Sequence, residues 1–182
     1  AVQHPGQVLH TVSNLSSTRA LKDVTEKHNG IYTASAVGEV NVVTEMKRTG
    51  SVIGGEGNGG VILPSLHYGR DALIGTALFL SHLAEKDLSV SGLRNSFPYY
   101  HMSKNRVDIP DHMDMGSLMS LIQKAYPTAS VTDTDGLRLD FENEKKWVCL
   151  RKSNTEPILR IYSEAQDREQ ADALASEIIA LL

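Results

Sequence analysis

With 182 residues, 41% of them hydrophobic and 22% charged, the chain is long enough for one large domain or two small ones. Its formal net charge of −4 removes any bulk electrostatic case for nucleic acid or an anionic membrane, so an anion site has to be built locally. The single cysteine, Cys149, excludes an internal disulfide and a thiolate-rich zinc site, and no apolar run approaches the roughly 20 residues that span a bilayer.

After Pro5-Gly6, Val8 to Val12 is a short β-prone run. Ser16, Ser17 and Thr18 offer caps to a helix reaching about His28, with Ala20, Leu21 and Val24 on one face and Asn29-Gly30 as its stop. Ile31-Tyr32-Thr33 reads as a strand and Val37-Gly38 as a turn. Glu39 to Arg48 is a second helix with Val42, Val43 and Met46 inward, and Ser51-Val52-Ile53 a third strand. A glycine-rich segment, residues 54–60, leads to a helix from Asp71 to about Glu85. Its broad apolar arc predicts that it is well buried. Composition turns polar around Lys86 to Leu93. Beyond it come a short helix over Val90 to Asn95, a strand over Tyr99 to Val107 and a break at Asp108-Ile109-Pro110-Asp111. An amphipathic helix follows over Ser117 to Tyr126, with Leu118, Leu121, Ile122 and Ala125 inward. Leu137, Leu139 and Phe141 alternate with Arg138 and Asp140, as in an antiparallel strand with one solvated face. Strands over Trp147 to Leu150 and Ile158 to Glu164 flank a polar turn, and in the second Leu159, Ile161 and Ser163 alternate with Arg160, Tyr162 and Glu164. A closing helix from Asp167 opens on a capping box with Gln170 and carries the stripe Ala171, Leu174, Ile178 and Leu181. The expected fold class is α/β: a mainly parallel α/β layer over residues 1–88, then a smaller α+β domain over 93–182 with an antiparallel sheet and helices on one side.

Two connections carry chemistry. Arg151-Lys152-Ser153-Asn154-Thr155-Glu156-Pro157 packs a guanidinium, an ammonium, two hydroxyls and an amide between two strands. Arg151 can donate two parallel bonds to a phosphoryl group, Lys152 adds a point charge, and Ser153, Asn154 and Thr155 add neutral donors. The bland alternative is a polar hairpin that binds nothing. Gly54-Gly55-Glu56-Gly57-Asn58-Gly59-Gly60 invites comparison with a phosphate cradle, but Glu56 at its centre repels phosphate. A carboxylate between glycines suits neutral hydroxyls: Glu56 accepts from two neighbouring ones and Asn58 both donates and accepts. Here the alternative is a flexible turn at a strand end. Asp133-Thr134-Asp135-Gly136 lacks the later ligands of a calcium loop and reads as a turn. The seven histidines are scattered and form no metal pair.

The run from Arg151 to Pro157 resembles the phosphate-binding loop of the α-D-phosphohexomutases, the family of phosphoglucomutase, phosphomannomutase and phosphoglucosamine mutase, whose pattern is Arg-x-Ser-(Gly or Asn)-Thr-x-Pro. Gly55-Glu56-Gly57-Asn58-Gly59 is similar to the family's sugar-recognition loop Gly-Glu-x-Ser-Gly, with Asn58 in place of Ser. Gly60 stands where many bacterial members have His. Val37-Gly38-Glu39-Val40-Asn41-Val42 and Gly69-Arg70-Asp71-Ala72 also resemble family segments. The resemblance covers nearly the whole chain as the third and fourth family domains. It implies a substrate-binding C-terminal fragment of an enzyme that interconverts hexose 1-phosphate and hexose 6-phosphate through a phosphoserine and a hexose bisphosphate intermediate. The sugar would sit on Gly55, Glu56, Gly57 and Asn58, and its phosphate on Arg151, Ser153, Asn154 and Thr155.

The family's serine motif and Asp-rich metal loop are not in this sequence, so no catalytic residue and no metal ligand is expected in it. The Mg²⁺ of the whole enzyme would be held in the preceding N-terminal domains, the first and second, and the fragment alone would be inactive. The start on Ala1, directly before a loop and a strand, fits an excised part of a longer chain. No signal peptide is visible, and the expected compartment is the cytoplasm. A reading from another class is a non-enzymatic module that binds phosphosugars or other anions.

Overall fold

The computed structural model describes residues 8–110, 113–153 and 155–182. The chain divides into two compact units, residues 1–99 and 100–182.

In the first unit the order is β1 (His10–Asn14), α1 (Ala20–Lys27), β2 (Ile31–Ser35), α2 (Glu39–Thr49), β3 (Ile53–Glu56), β4 (Gly60–Ile62), α3 (Ala72–Lys86) and α4 (Val90–Asn95). The sheet runs β2-β1-β3-β4, with β1 parallel to both β2 and β3 and β4 antiparallel to β3. Val12, Val42, Met46 and Ile62 form its buried cluster, with Val43 packed against it. This is the expected mainly parallel layer, with two differences. The third strand lies over the glycines rather than over Ser51–Ile53, because pairing on both sides overrides their poor strand propensity. A side chain at Gly55 would stand 2.1 Å from the Gly60 carbonyl oxygen, so the hairpin β3–β4 closes only around glycine. Helix α3 is not well buried: none of its residues is, and Leu73 is 83% exposed. It packs on β4 and α4, which leaves much of a helix that is apolar on all sides without cover.

The second unit contains β5 (His101–Asp108), α5 (Met115–Ala125), β6 (Ser130–Thr132), β7 (Leu137–Phe141), a 3₁₀ turn at Glu142–Glu144, β8 (Lys146–Lys152), β9 (Ile158–Ala165) and α6 (Arg168–Ile179). Its sheet, β5-β9-β8-β7-β6, is antiparallel throughout. Leu137, Leu139, Val148, Leu150 and Ile161 line one face, and Leu118 and Ile122 from α5 join Leu174 and Ile178 from α6 in the same cluster, so both helices cover that face. Ser163 Oγ ties α6 down by donating to the Ala171 carbonyl at 2.7 Å. Helix α5 starts two residues before the expected Ser117 because Asp114 caps it, accepting from the Gly116 N–H at 3.0 Å. Leu121, expected inward, is half exposed, since Leu118 and Ile122 take the facing positions.

The second face of this sheet was expected to be solvated, yet Arg138 and Glu164 are buried there. Trp147 explains it. The Arg138 guanidinium lies 4.2 Å from the indole centroid and bonds both oxygens of Asp140, at 2.7 and 2.8 Å. The indole N–H donates to the Glu164 carboxylate. Each buried polar group thus has a partner that offsets its desolvation. Cys149, on the same strand, is buried, and burial pushes its thiol up to about 11, as fits an inert core residue.

Candidate functional site

In an open parallel sheet, ligands lie beyond the carboxyl ends of the strands where the order reverses. Here the order reverses between β1 and β3, since β2 lies on one side of β1 and β3 on the other. Asn14 ends β1 and Glu56 ends β3. Glu56 Oε1 accepts from Asn14 Nδ2 at 2.8 Å and from the Gly38 backbone N–H at 3.1 Å. Among the described residues nothing donates to its Oε2. The carboxylate is thus oriented by neutral donors while one oxygen stays available.

Asn14, 4% exposed, is the hub of this arrangement. Its Oδ1 accepts from Ser17 Oγ at 2.7 Å and from the Ser16 N–H and hydroxyl at 3.2 Å each. Ser17 Oγ in turn accepts from the Gly57 N–H at 2.9 Å, so β1 and its following turn hold the glycine hairpin at Glu56 and again at Gly57. Ser16 and Ser17 therefore serve the loop and not the helix. Thr18 meets the start of α1, accepting from the Ala20 N–H at 3.2 Å, and Arg19 at the N-cap makes no side-chain cap bond. Sequence reading missed Asn14; its signal is a polar residue closing a strand at a switch point.

Asn58 closes the hairpin turn through Oδ1, which accepts from the Gly60 N–H at 3.1 Å, and among the described residues its Nδ2 has no hydrogen-bond acceptor. A small cavity of about 240 Å³ lies under the loop, lined by Ser13, Ser17, Leu21, Gly55, Glu56 and Gly57 among others. On the other side Arg70 passes over Gly60, its Cδ standing 2.5 Å from where a side chain there would begin. Arg70 Nε donates to Glu39 Oε2 at 2.9 Å. The space beside Gly60 is thus taken up by the stem of Arg70. Asp71 caps α3 by accepting from the N–H groups of Leu73 and Ile74, and the Ile74 bond above all holds its carboxyl below the usual value.

The cationic turn joins β8 to β9. Ser153 N–H donates to the Ile158 carbonyl at 2.9 Å, Ile158 N–H to the Glu156 carbonyl at 2.8 Å, and Ser153 Oγ lies 3.5 Å from Thr155 Oγ1. Arg151, Ser153 and Thr155 thus share one turn, with Lys152 exposed beside them. Asn154 lies outside the described residues, as do Pro5, Gly6, Asp111 and His112. Arg151 is 28% exposed and its Nε donates to Asp135 Oδ1 at 2.9 Å. Asp135 belongs to the turn expected before β7, but its contact with Arg151 is invisible at a separation of 16 residues. Among the described residues no three His, Cys, Asp or Glu side chains gather around one point.

The family model for the phosphoglucomutase/phosphomannomutase α/β/α domain III matches residues 2–100, and that for the C-terminal domain of the same family matches 108–181. The phosphoglucosamine/phosphogalactosamine mutase of Sulfurisphaera tokodaii is 31% identical over 98% of this chain, which spans 39% of that protein. A phosphoglucomutase/phosphomannomutase of Thermococcus kodakarensis is 30% identical over 88% of the chain and 35% of its own length. The chain therefore spans about two fifths of these relatives. Among solved structures, a phosphoglucomutase/phosphomannomutase family protein of Burkholderia thailandensis superposes with a TM-score of 0.76 at 21% identity, over 96% of this chain and 37% of that one. The Aspergillus fumigatus N-acetylphosphoglucosamine mutase in complex with GlcNAc-6P and magnesium gives 0.64 at 15% identity, over 95% of this chain and 38% of that one. At such identities these likenesses concern the fold. Among the described residues no helix is long and apolar enough to cross a membrane.

Proposed function

Because the chain belongs to the phosphoglucomutase/phosphomannomutase family, we propose that it is the substrate-holding C-terminal half of an enzyme that interconverts hexose 1-phosphates and hexose 6-phosphates. The main support within the molecule is Glu56, a carboxylate at the strand-order reversal with one oxygen held by Asn14 and Gly38 and the other available. Glu56 and the Asn58 amide read sugar hydroxyls, and the backbone of Gly55 and Gly57 shapes the loop under them. Arg151, Ser153, Asn154 and Thr155 hold the phosphate that is not reacting. The phosphoserine and the Mg²⁺ that lowers the charge cost of phosphoryl transfer belong to domains outside this chain. This chain alone turns nothing over; its residues bind, orient and release.

The test is kinetic, on the whole protein with glucose, mannose and glucosamine phosphates. Arg151→Ala removes a charge-assisted contact worth on the order of 1.5–3 kcal/mol, so kcat/KM falls about 10- to 100-fold on every sugar. Glu56→Gln changes the ranking of the sugars more than it changes inhibition by inorganic phosphate. Unchanged kinetics in Arg151→Ala would remove the phosphate role. A whole protein that binds hexose phosphates without interconverting them would instead be a non-enzymatic binding module.

A further inference from the structure

We infer that Asp135 is a positioning residue for the phosphate-binding arginine, a role that rests on the proposed phosphate contact of Arg151. The turn between β6 and β7 is pressed onto the backbone of β8: Gly136 has φ +85°, and a side chain there would stand 2.1 Å from the Leu150 carbonyl oxygen and 3.2 Å from Arg151 Cα. Register explains the placement. Leu137 pairs with Leu150, so the residues just before Leu137 overhang the point where β8 runs into Arg151. From there Asp135 Oδ1 accepts from Arg151 Nε at 2.9 Å.

A guanidinium has one Nε–H and four Nη–H groups in a rigid plane. A carboxylate on Nε fixes that plane yet leaves the Nη1–Nη2 edge, the edge that grips a phosphoryl group through two parallel bonds. Among the described residues no hydrogen-bond partner occupies that edge. With Arg151 28% and Asp135 20% exposed on their side chains, the pair remains open to a ligand from solvent. The carboxylate also opposes the incoming phosphate electrostatically, so orientation and repulsion predict opposite outcomes when it is removed. The two are therefore separable by experiment.

The experiment measures KM and kcat for glucosamine 6-phosphate, and inhibition by inorganic phosphate, in the whole enzyme and in Arg151→Ala, Asp135→Ala and Asp135→Asn. A positioning role predicts that Asp135→Ala raises KM about tenfold and weakens phosphate inhibition in parallel, with kcat changed less than KM. Asp135→Asn keeps an acceptor for Nε and restores most of the loss. An unchanged or lowered KM in Asp135→Ala, or no rescue by Asp135→Asn in a variant with unaltered thermal melting, overturns the proposal. If Arg151→Ala itself leaves KM and phosphate inhibition untouched, the phosphate reading fails. If Arg151→Ala is severely impaired while Asp135→Ala is normal, only the positioning role fails.

Discussion

Glu56 has one carboxylate oxygen already held by two neutral donors, an amide and a backbone N–H, whereas Arg151 has one nitrogen already committed to another charge. The difference follows from where each stands. Glu56 closes a strand beside a buried amide and between glycines that bring backbone close, so its position comes from neutral hydrogen bonds and close packing. Arg151 ends a strand at a half-open turn, where a single partly exposed ion pair, worth about 0.5–1 kcal/mol, fixes the plane of the group and offsets some of its charge. The acidic loop is built by crowding and the basic one by pairing. Small changes in shape should therefore damage the first, and small changes in charge the second.

The largest effect is expected at Gly55. A methyl group there meets the Gly60 carbonyl at 2.1 Å, and backbone cannot rotate away as a side chain does. Gly55→Ala should cost about 2–3 kcal/mol in denaturant unfolding and abolish sugar discrimination in the whole enzyme. A stable, discriminating variant would show that the hairpin yields, and the contrast between crowding and pairing would fail.

Next comes Asn14→Ala. It leaves the buried Ser17 and the partly buried Glu56 without their shared partner, at about 1–3 kcal/mol of stability. Because Glu56 then loses its side-chain anchor, kcat/KM should fall about tenfold with phosphate inhibition little changed. Equal loss in both would mean that the two loops are not separable in this way. Gly136→Ala tests the other loop by shape alone. A methyl group there meets the Leu150 carbonyl at 2.1 Å and φ is +85°, so about 2 kcal/mol is expected, together with weaker phosphate inhibition.

Much of this contrast was readable in the sequence, and the part that was not has a common cause. Spacing and turn residues announce the alternation of helix and strand in the first unit, the antiparallel second unit and both polar loops. Partners distant in sequence leave no periodic trace: Asn14 to Glu56 spans 42 residues and Arg151 to Asp135 spans 16. The glycine segment reads as a loop because glycine disfavours strands, and tertiary pairing overrides that preference. Helix α3 looks like a core element because apolar content signals burial somewhere, and within its unit it packs mainly on β4 and α4. Arg138, Asp140 and Glu164 looked solvated because a period of two is silent about an indole lying across the second face.

The smallest effect concerns the strand that carries Arg151. Cys149 lies two residues earlier, buried, with its thiol pushed from 9.0 to about 11 chiefly by desolvation. In the unfolded chain the thiol ionises near its ordinary value, so above pH 9 the unfolded state binds fewer protons than the folded one and stability falls as pH rises toward 11. Removing the group in Cys149→Ala should flatten part of that decline relative to the parent, which cancels the lysine and tyrosine titrations common to both. At pH 8 only about one native molecule in a thousand carries the thiolate, so a thiol reagent should label Cys149 at the rate at which β8 opens. If crowding and pairing are local, Asp135→Asn leaves that rate unchanged and Gly136→Ala raises it only modestly. Rapid labelling in Asp135→Asn would mean that the ion pair holds the strand itself, and not only the direction of the guanidinium.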